Sequence, residues 1–453
     1  MVCARCYNLP RMFSRLTTGL RWRGRPIFYG WWVTLAGALM NSLSSGLYGT
    51  GFTVWFLPLS RDLHLSSTAT SLVFSFSRLE GGVQGLLTGL CIDRWGPRIM
   101  MVIAVIMAAV GFLLLPLAKS YAMFMLIYVG VISIGIHAGF NQGTMASVNR
   151  WFVRRRGTAF GVVSVGVSMG GAVITPVVGL VVLNWGWQQA AIISGILLFV
   201  VALPLTFFMR NSPEEMGLLP DGDKPDEKDG VRRPARFVPV EGVDYTARQA
   251  FRTFSYWFLA LAICFRIAIH TGVFVHIIPL MVWKGMDEAT GAIMVAVISF
   301  SGMGTRLLMG IWGDRWSRRK VTSLAMVVGA ASLMLLLFAP GKLWTMVVFG
   351  IVFSVTEGAA GVTWAMLGDY FGRRAFATLR GGVNLVVAFG AVTTPVISGR
   401  IFDTTQSYYW ALIPFSALYM VTAVMFLFAR RPRRRATPAA GADGMRAPGS
   451  QGD

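Results

Sequence analysis

The chain has 453 residues, 55% of them hydrophobic and 13% charged, with a mean hydropathy of +0.61, which excludes a water-soluble globular protein. Its formal net charge of +21 is gathered at the chain ends and in short turns between apolar runs, so a nucleic-acid role is rejected. No Gly-x-x-x-x-Gly-Lys-Ser/Thr loop and no metal or nucleophile constellation occurs, so neither ATP-driven pumping nor catalysis is supported and no cofactor is expected.

Residues 1–28 form a basic tail, with Arg5, Arg11, Arg15, Arg21, Arg23 and Arg25 and no acid. Cys3 and Cys6 make an isolated CARC without a second ligand pair, which does not define a zinc or redox site. Cys91 and Cys264 read as small apolar packing residues. A bilayer core needs roughly 20 apolar residues per helix. Such runs are predicted over 29–58, 68–92, 99–118, 122–149, 157–182, 188–209, 254–282, 290–312, 320–340, 343–368, 376–401 and 408–429. The first is long and followed by others, as an uncleaved helix would be. Residues 210–252 are rich in Pro, Gly, Asp and Lys and predict a solvated linker. The chain thus divides into a bundle at 29–209, a linker at 210–252, a second bundle at 253–429 and a basic tail at 430–453.

Turns at 93–98, 150–156, 314–320 and 369–374 are basic, whereas the alternate turns hold little beyond Arg61, Lys119, Lys284 and Lys342. This asymmetry predicts that the basic turns and both termini face the cytoplasm. The polybasic ends also suit contact with anionic lipid headgroups. The absence of an Asn-x-Ser/Thr acceptor agrees with a bacterial cell membrane.

The chain repeats itself. GLCIDRWGPRIM at 89–100 returns as GIWGDRWSRRKV at 310–321, and WFVRRRGTAFGV from Trp151 returns as YFGRRAFATLRGGV from Tyr370. Pro176 and Pro395 keep the second offset. Parallel duplicated halves with a site between them near mid-membrane describe a secondary transporter.

Gly89-x-x-x-Asp93-Arg94-x-Gly96-x-Arg98 resembles the signature loop of the major facilitator superfamily, and its second copy departs by Ser317 in place of glycine. RLEGGVQGLLTGLCIDRWGPR and NRWFVRRRGTAFGVVSVGVSMGGAVITP are similar to the monocarboxylate and oxalate/formate transporter branch. The resemblance implies an all-α membrane protein, with twelve helices in two six-helix bundles related by a pseudo-two-fold axis. It also implies that Asp93, Arg94 and Arg98, with Asp314, Arg315 and Arg319, make charge contacts that hold one side closed. Asp93 suits the positive N-terminal end of a helix such as the eleventh. The alternative is that these charges only set topology.

Charges inside spanning helices are costly and mark functional candidates. Arg306 occupies the place of an arginine that binds the substrate carboxylate in monocarboxylate transporters, and a guanidinium fork pairs with a carboxylate at two points. Relatives carry an acid one turn earlier, where this chain has Gly302. The alternative for Arg306 is a structural pair with Glu357. Arg266 and His270 share a face of helix seven, and Arg78 and Glu80 lie on different faces of helix two. Asn41, His137, Asn141 and Gln142 add polar atoms at similar depth, with Tyr48, Trp55 and Trp364 as candidate cavity aromatics. Gly161, Gly166, Gly170, Gly171 and Gly179, with Pro176, suit close helix packing. Thr175 rather than glycine precedes Pro176, unlike the motif of drug antiporters.

The expected function is secondary transport of a small organic anion, a mono- or dicarboxylate, by proton symport or anion exchange. The alternatives are proton-driven efflux of drugs or other small molecules, and a transporter-like sensor. The expected partners are the anion, a coupling proton and membrane lipids, without nucleic acid, and the protein is expected to be a monomer.

Overall fold

The computed structural model describes residues 21–22, 25–64, 67–223 and 244–432; Cys3, Cys6 and most of both basic tails lie outside the described residues. Helix α1 runs over Tyr29–Ser44, widens through Ser45–Gly49 and resumes as Phe52–Asp62. It is followed by α2 (Ser67–Trp95), α3 (Pro97–Leu114) and α4 (Tyr121–Trp151). One stretch, Arg156–Phe208, is two helices, α5 and α6, meeting at Gly186 with φ 83°. The second half holds α7 (Phe254–Val275), α8 (Glu288–Arg315), α9 (Arg318–Phe338), α10 (Leu343–Phe371), α11 (Phe376–Thr405) and α12 (Tyr409–Phe428). A two-residue antiparallel pairing of Arg21–Trp22 with Arg25–Pro26 precedes α1.

By length and composition, nine described helical stretches can cross a bilayer. Counting Arg156–Phe208 as two, and adding the broken α1 and the more polar α2, gives twelve crossings in two bundles of six. The outer surface is apolar: Leu183, Phe300 and Phe338 are 83%, 77% and 78% exposed. Such a surface suits hydrocarbon rather than water.

Several helices begin where a side-chain oxygen accepts an N–H that the helix itself leaves free. Ser120 takes that of Met123, Thr253 that of Tyr256 and Asp287 that of Thr290. The α2–α3 turn requires glycine, because Gly96 has φ 88° and Pro97 follows at the first helical turn. The second copy turns differently: Ser317 is extended, with φ −67° and ψ 117°. That is why serine can stand where the first copy needs glycine.

Two expectations are corrected. Asp93, Asp314 and Asp369 lie inside the last turns of α2, α8 and α10 rather than in loops. Polar residues extend a helix as well as apolar ones, and the breaks come at Gly96, Trp316 and Gly372. The described ends of the 210–252 stretch are also docked rather than free. Asp221 accepts the N–H groups of Val153, Arg154 and Arg155, Glu214 pairs with Arg373 at 2.9 Å, and Asp244 accepts the Arg373 N–H.

The bundles meet along two seams near the basic turns, α2 against α11 and α5 against α8. A methyl on Gly89 would lie 2.5 Å from the Ala377 carbonyl, and one on Gly310 would lie 2.5 Å from that of Gly157. Only glycine admits such backbone contact. Within the first bundle α5 lies equally close to α1, with Gly166 against Ala38 and Gly170 against Ser42.

Candidate functional site

The seams are closed by a carboxylate from one bundle on a helix start of the other. Asp93 accepts the N–H groups of Ala377 and Thr378 at 3.3 and 2.8 Å and the Thr378 hydroxyl at 2.7 Å. Asp314 accepts those of Gly157 and Thr158 at 2.8 and 2.7 Å. Both anions thus meet the positive end of a helix dipole and its orphan N–H groups.

The arginines of the two loops are placed otherwise than expected. Arg94, Arg315 and Arg319 are exposed, and Arg319 reaches the Ala429 carbonyl only at 3.5 Å. Arg98 contributes its backbone N–H to Asn211. The cations that reach the seam carboxylates are Arg150, 4.0 Å from Asp93, and Arg318, 2.8 Å from Asp314. Arg318 also pairs with Asp369, which in turn holds the buried Arg156 at 3.0 Å. Sequence reasoning passed over these residues because Arg318 and Arg156 sit in runs of basic residues that read as topogenic.

Gln142 belongs to a seam rather than to a cavity: its amide donates to the carbonyls of Gly85 and Ala377, one on each side. Asn41 is likewise engaged, donating to Gly37, Phe140 and Thr144. Trp55 is buried, with its indole N–H on the Leu47 carbonyl.

At mid-depth the C-terminal bundle builds a charged cluster. Arg306 on α8 pairs with Glu357 on α10 at 2.6 Å. Its other amino group crosses to α5, donating to the Ser164 carbonyl at 3.1 Å and to the Ser168 hydroxyl. Glu357 also meets His270 on α7 at 2.9 Å. Arg266, one turn before His270, is 4% exposed and donates to the carbonyl of Thr356, the neighbour of Glu357. A methyl built on Gly302 would lie 3.1 Å from a Glu357 carboxylate oxygen. The acid missing one turn before Arg306 is therefore supplied by α10 from across the bundle.

The N-terminal bundle holds a cavity of about 290 Å³ between α1, α4 and α5, lined by Asn41, Ser44, Tyr48, His137, Asn141 and Val167 among others. Behind it Tyr48 donates to Ser133 at 2.8 Å, and Ser133 donates to Glu80 at 2.7 Å. The Arg78 side chain lies outside the described residues. Trp364 does not line this cavity; its ring carries the guanidinium of Arg380, 4.6 Å from its centroid.

A family model of the Major Facilitator Superfamily matches residues 34–310 and 284–448. Monocarboxylate transporter 6 of Homo sapiens is 21% identical over 409 residues, spanning 88% of this chain and 79% of its own. The hexuronate transporter of Bacillus subtilis (strain 168) is 22% identical over 390 residues, spanning 82% and 88%. The solved structure of the E. coli fucose:proton symporter shares the fold, with TM-score 0.64, 12% identity and coverage of 88% of this chain and 98% of that one. With both halves matched and the helices arranged as described, the chain belongs to the major facilitator superfamily, as an integral membrane transporter and not an enzyme.

Proposed function

We propose that this protein moves a small organic anion, a mono- or dicarboxylate, across a cell membrane by alternating access. The observation that carries the reading is the surplus of buried cation at mid-depth. Arg306 and His270 both meet the one carboxylate of Glu357, and the buried Arg266 stands beside them on the Thr356 carbonyl, with no ion pair of its own among the described residues. A charge left over in low dielectric favours an anionic ligand. The carboxylate chemistry named for two of the relatives supports the same class. The bundles are 29–209 and 253–429, and the basic turns face the cytoplasm, so tags at 230 and 453 both report inside.

Asp93 and Asp314 are latches that hold the cytoplasmic ends together, and the ligand enters from the other side. Glu357 couples the ligand to a proton. While ionised it occupies Arg306; protonated, it releases the guanidinium to a substrate carboxylate. The test is flux into proteoliposomes with and without a pH gradient. Arg306→Gln should weaken carboxylate binding roughly ten- to hundredfold while neutral solutes are unaffected. Glu357→Gln should keep anion exchange and lose accumulation driven by the gradient. Unaltered carboxylate affinity in folded Arg306→Gln would remove the site from this reading.

A further inference from the structure

Arg380 has no place in the mechanism above, yet it is a buried cation with two unsatisfied nitrogens. It lies one turn into α11, directly after the Ala377–Thr378 segment held by Asp93, and is 4% exposed. One amino group donates to the Asn141 side-chain oxygen at 2.6 Å. The guanidinium lies over the Trp364 ring, and its Nε and second amino nitrogen are buried without a hydrogen-bond partner. Among the described residues Arg380 enters no ion pair, whereas the equally buried Arg156 and the partly buried Arg306 and Arg318 each hold a carboxylate, and the buried Arg266 lies beside Glu357 on the Thr356 carbonyl.

A guanidinium left in this condition is a costly arrangement unless a ligand completes it. The bond to Asn141 also crosses between bundles, from α11 to α4, and Asn141 lines the N-terminal cavity. A carboxylate arriving through that cavity meets a guanidinium held only by a neutral amide and an aromatic face. A charge-assisted, two-point bond outcompetes a single bond to an amide.

We infer that Arg380, with Asn141 and Trp364, is a second carboxylate site at the cytoplasmic floor of the cavity, and that filling it breaks the Arg380–Asn141 bond and loosens the α2/α11 seam. This rests on the organic-anion reading, to which it adds a station distinct from Arg306. The site takes the carboxylate as it leaves toward the cytoplasm, so that the departing ligand itself undoes a contact holding the exit shut.

The experiment uses the purified full chain in detergent, with acetate, lactate, malonate, succinate and gluconate as probes against sodium chloride at equal ionic strength. The readouts are thermal protection and labelling, in a cysteine-free background, of a cysteine at Leu86, whose backbone on α2 lies against Gly381 of α11. Arg380→Gln keeps a donor for Asn141 and removes the charge. The ligand-free variant should melt no lower than the wild type, carboxylate affinity should fall roughly ten- to hundredfold, and carboxylate should no longer raise labelling at 86. Asn141→Asp should do the converse. An internal carboxylate should fill the site, raise the melting temperature of the ligand-free protein and abolish protection by added carboxylate. Protection lost in Arg306→Gln but intact in both Arg380→Gln and Asn141→Asp would overturn this site and leave the anion reading standing. Absence of protection of the wild type by any probe would overturn both.

Discussion

At the α2/α11 seam Asp93 takes two N–H groups and the Thr378 hydroxyl, and Arg150 stands 4.0 Å off. At the α5/α8 seam Asp314 takes two N–H groups in the same way, but Arg318 ties it to Asp369, and Asp369 ties Arg156 across the bundles. Duplication preserved the helix-end geometry because that geometry needs only one carboxylate at one position of the repeat. The ion chain could not be duplicated, since Arg156, Arg318 and Asp369 have no like-charged counterparts in the other copy: Asp369 repeats the place of Arg150. One seam is therefore held by charges on both sides, the other by a helix cap and by neutral or half-satisfied bonds through Gln142 and Arg380. The lightly held seam is the one expected to yield first.

The largest effect should come from Asp369→Asn. It leaves the buried Arg156 without its carboxylate and Arg318 with half of its pairing, and breaking such a buried pair costs about 3–5 kcal/mol. Yield and melting temperature should fall sharply, and adding Arg156→Gln should recover part of the loss. Stability unchanged by Asp369→Asn would show that the two seams do not differ in the way described.

Asp93→Asn should be milder for folding and clearer for function. Asparagine keeps one acceptor and loses the charge facing the α11 dipole, roughly 1–1.5 kcal/mol, or about five- to tenfold in the closed-to-open ratio. Cysteine labelling along the α2/α11 seam should rise by that factor. Asp314→Asn should raise labelling along α5/α8 less, because Arg156 and Asp369 still join the bundles there. Equal responses would erase the distinction.

Thr378→Val is the smallest change. It removes one of three bonds to Asp93 and leaves both N–H groups in place, so about 0.5–1 kcal/mol is expected. Labelling should rise less than in Asp93→Asn, and a response matching that variant would make the hydroxyl, not the helix end, the main partner.

Composition and run length were enough to read the membrane class and the number of crossings, because burying roughly 20 apolar residues per helix in lipid is a local requirement of each segment. The repeated charged turn was equally visible, being a matter of residue order alone. Cation placement between the apolar runs is also local, and it carries the topology expected here. Which side chains meet was decided by tertiary structure. Glu357 stands 55 residues beyond Gly302 in number, yet the crossing of α10 over α8 puts its carboxylate where a side chain at 302 would project. Gln142 and Asn141 are adjacent in sequence but lie on different faces of α4, so one enters a seam and the other faces the cavity. Arg380 lies inside the run predicted at 376–401 and nothing in the residue order singled it out; it became a buried, half-satisfied guanidinium only when α11 lodged against α4 and α10. A sequence states which charges a membrane helix carries; the partner that makes each charge tolerable, or leaves it seeking a ligand, comes from helices distant in the chain and exists only once they have packed.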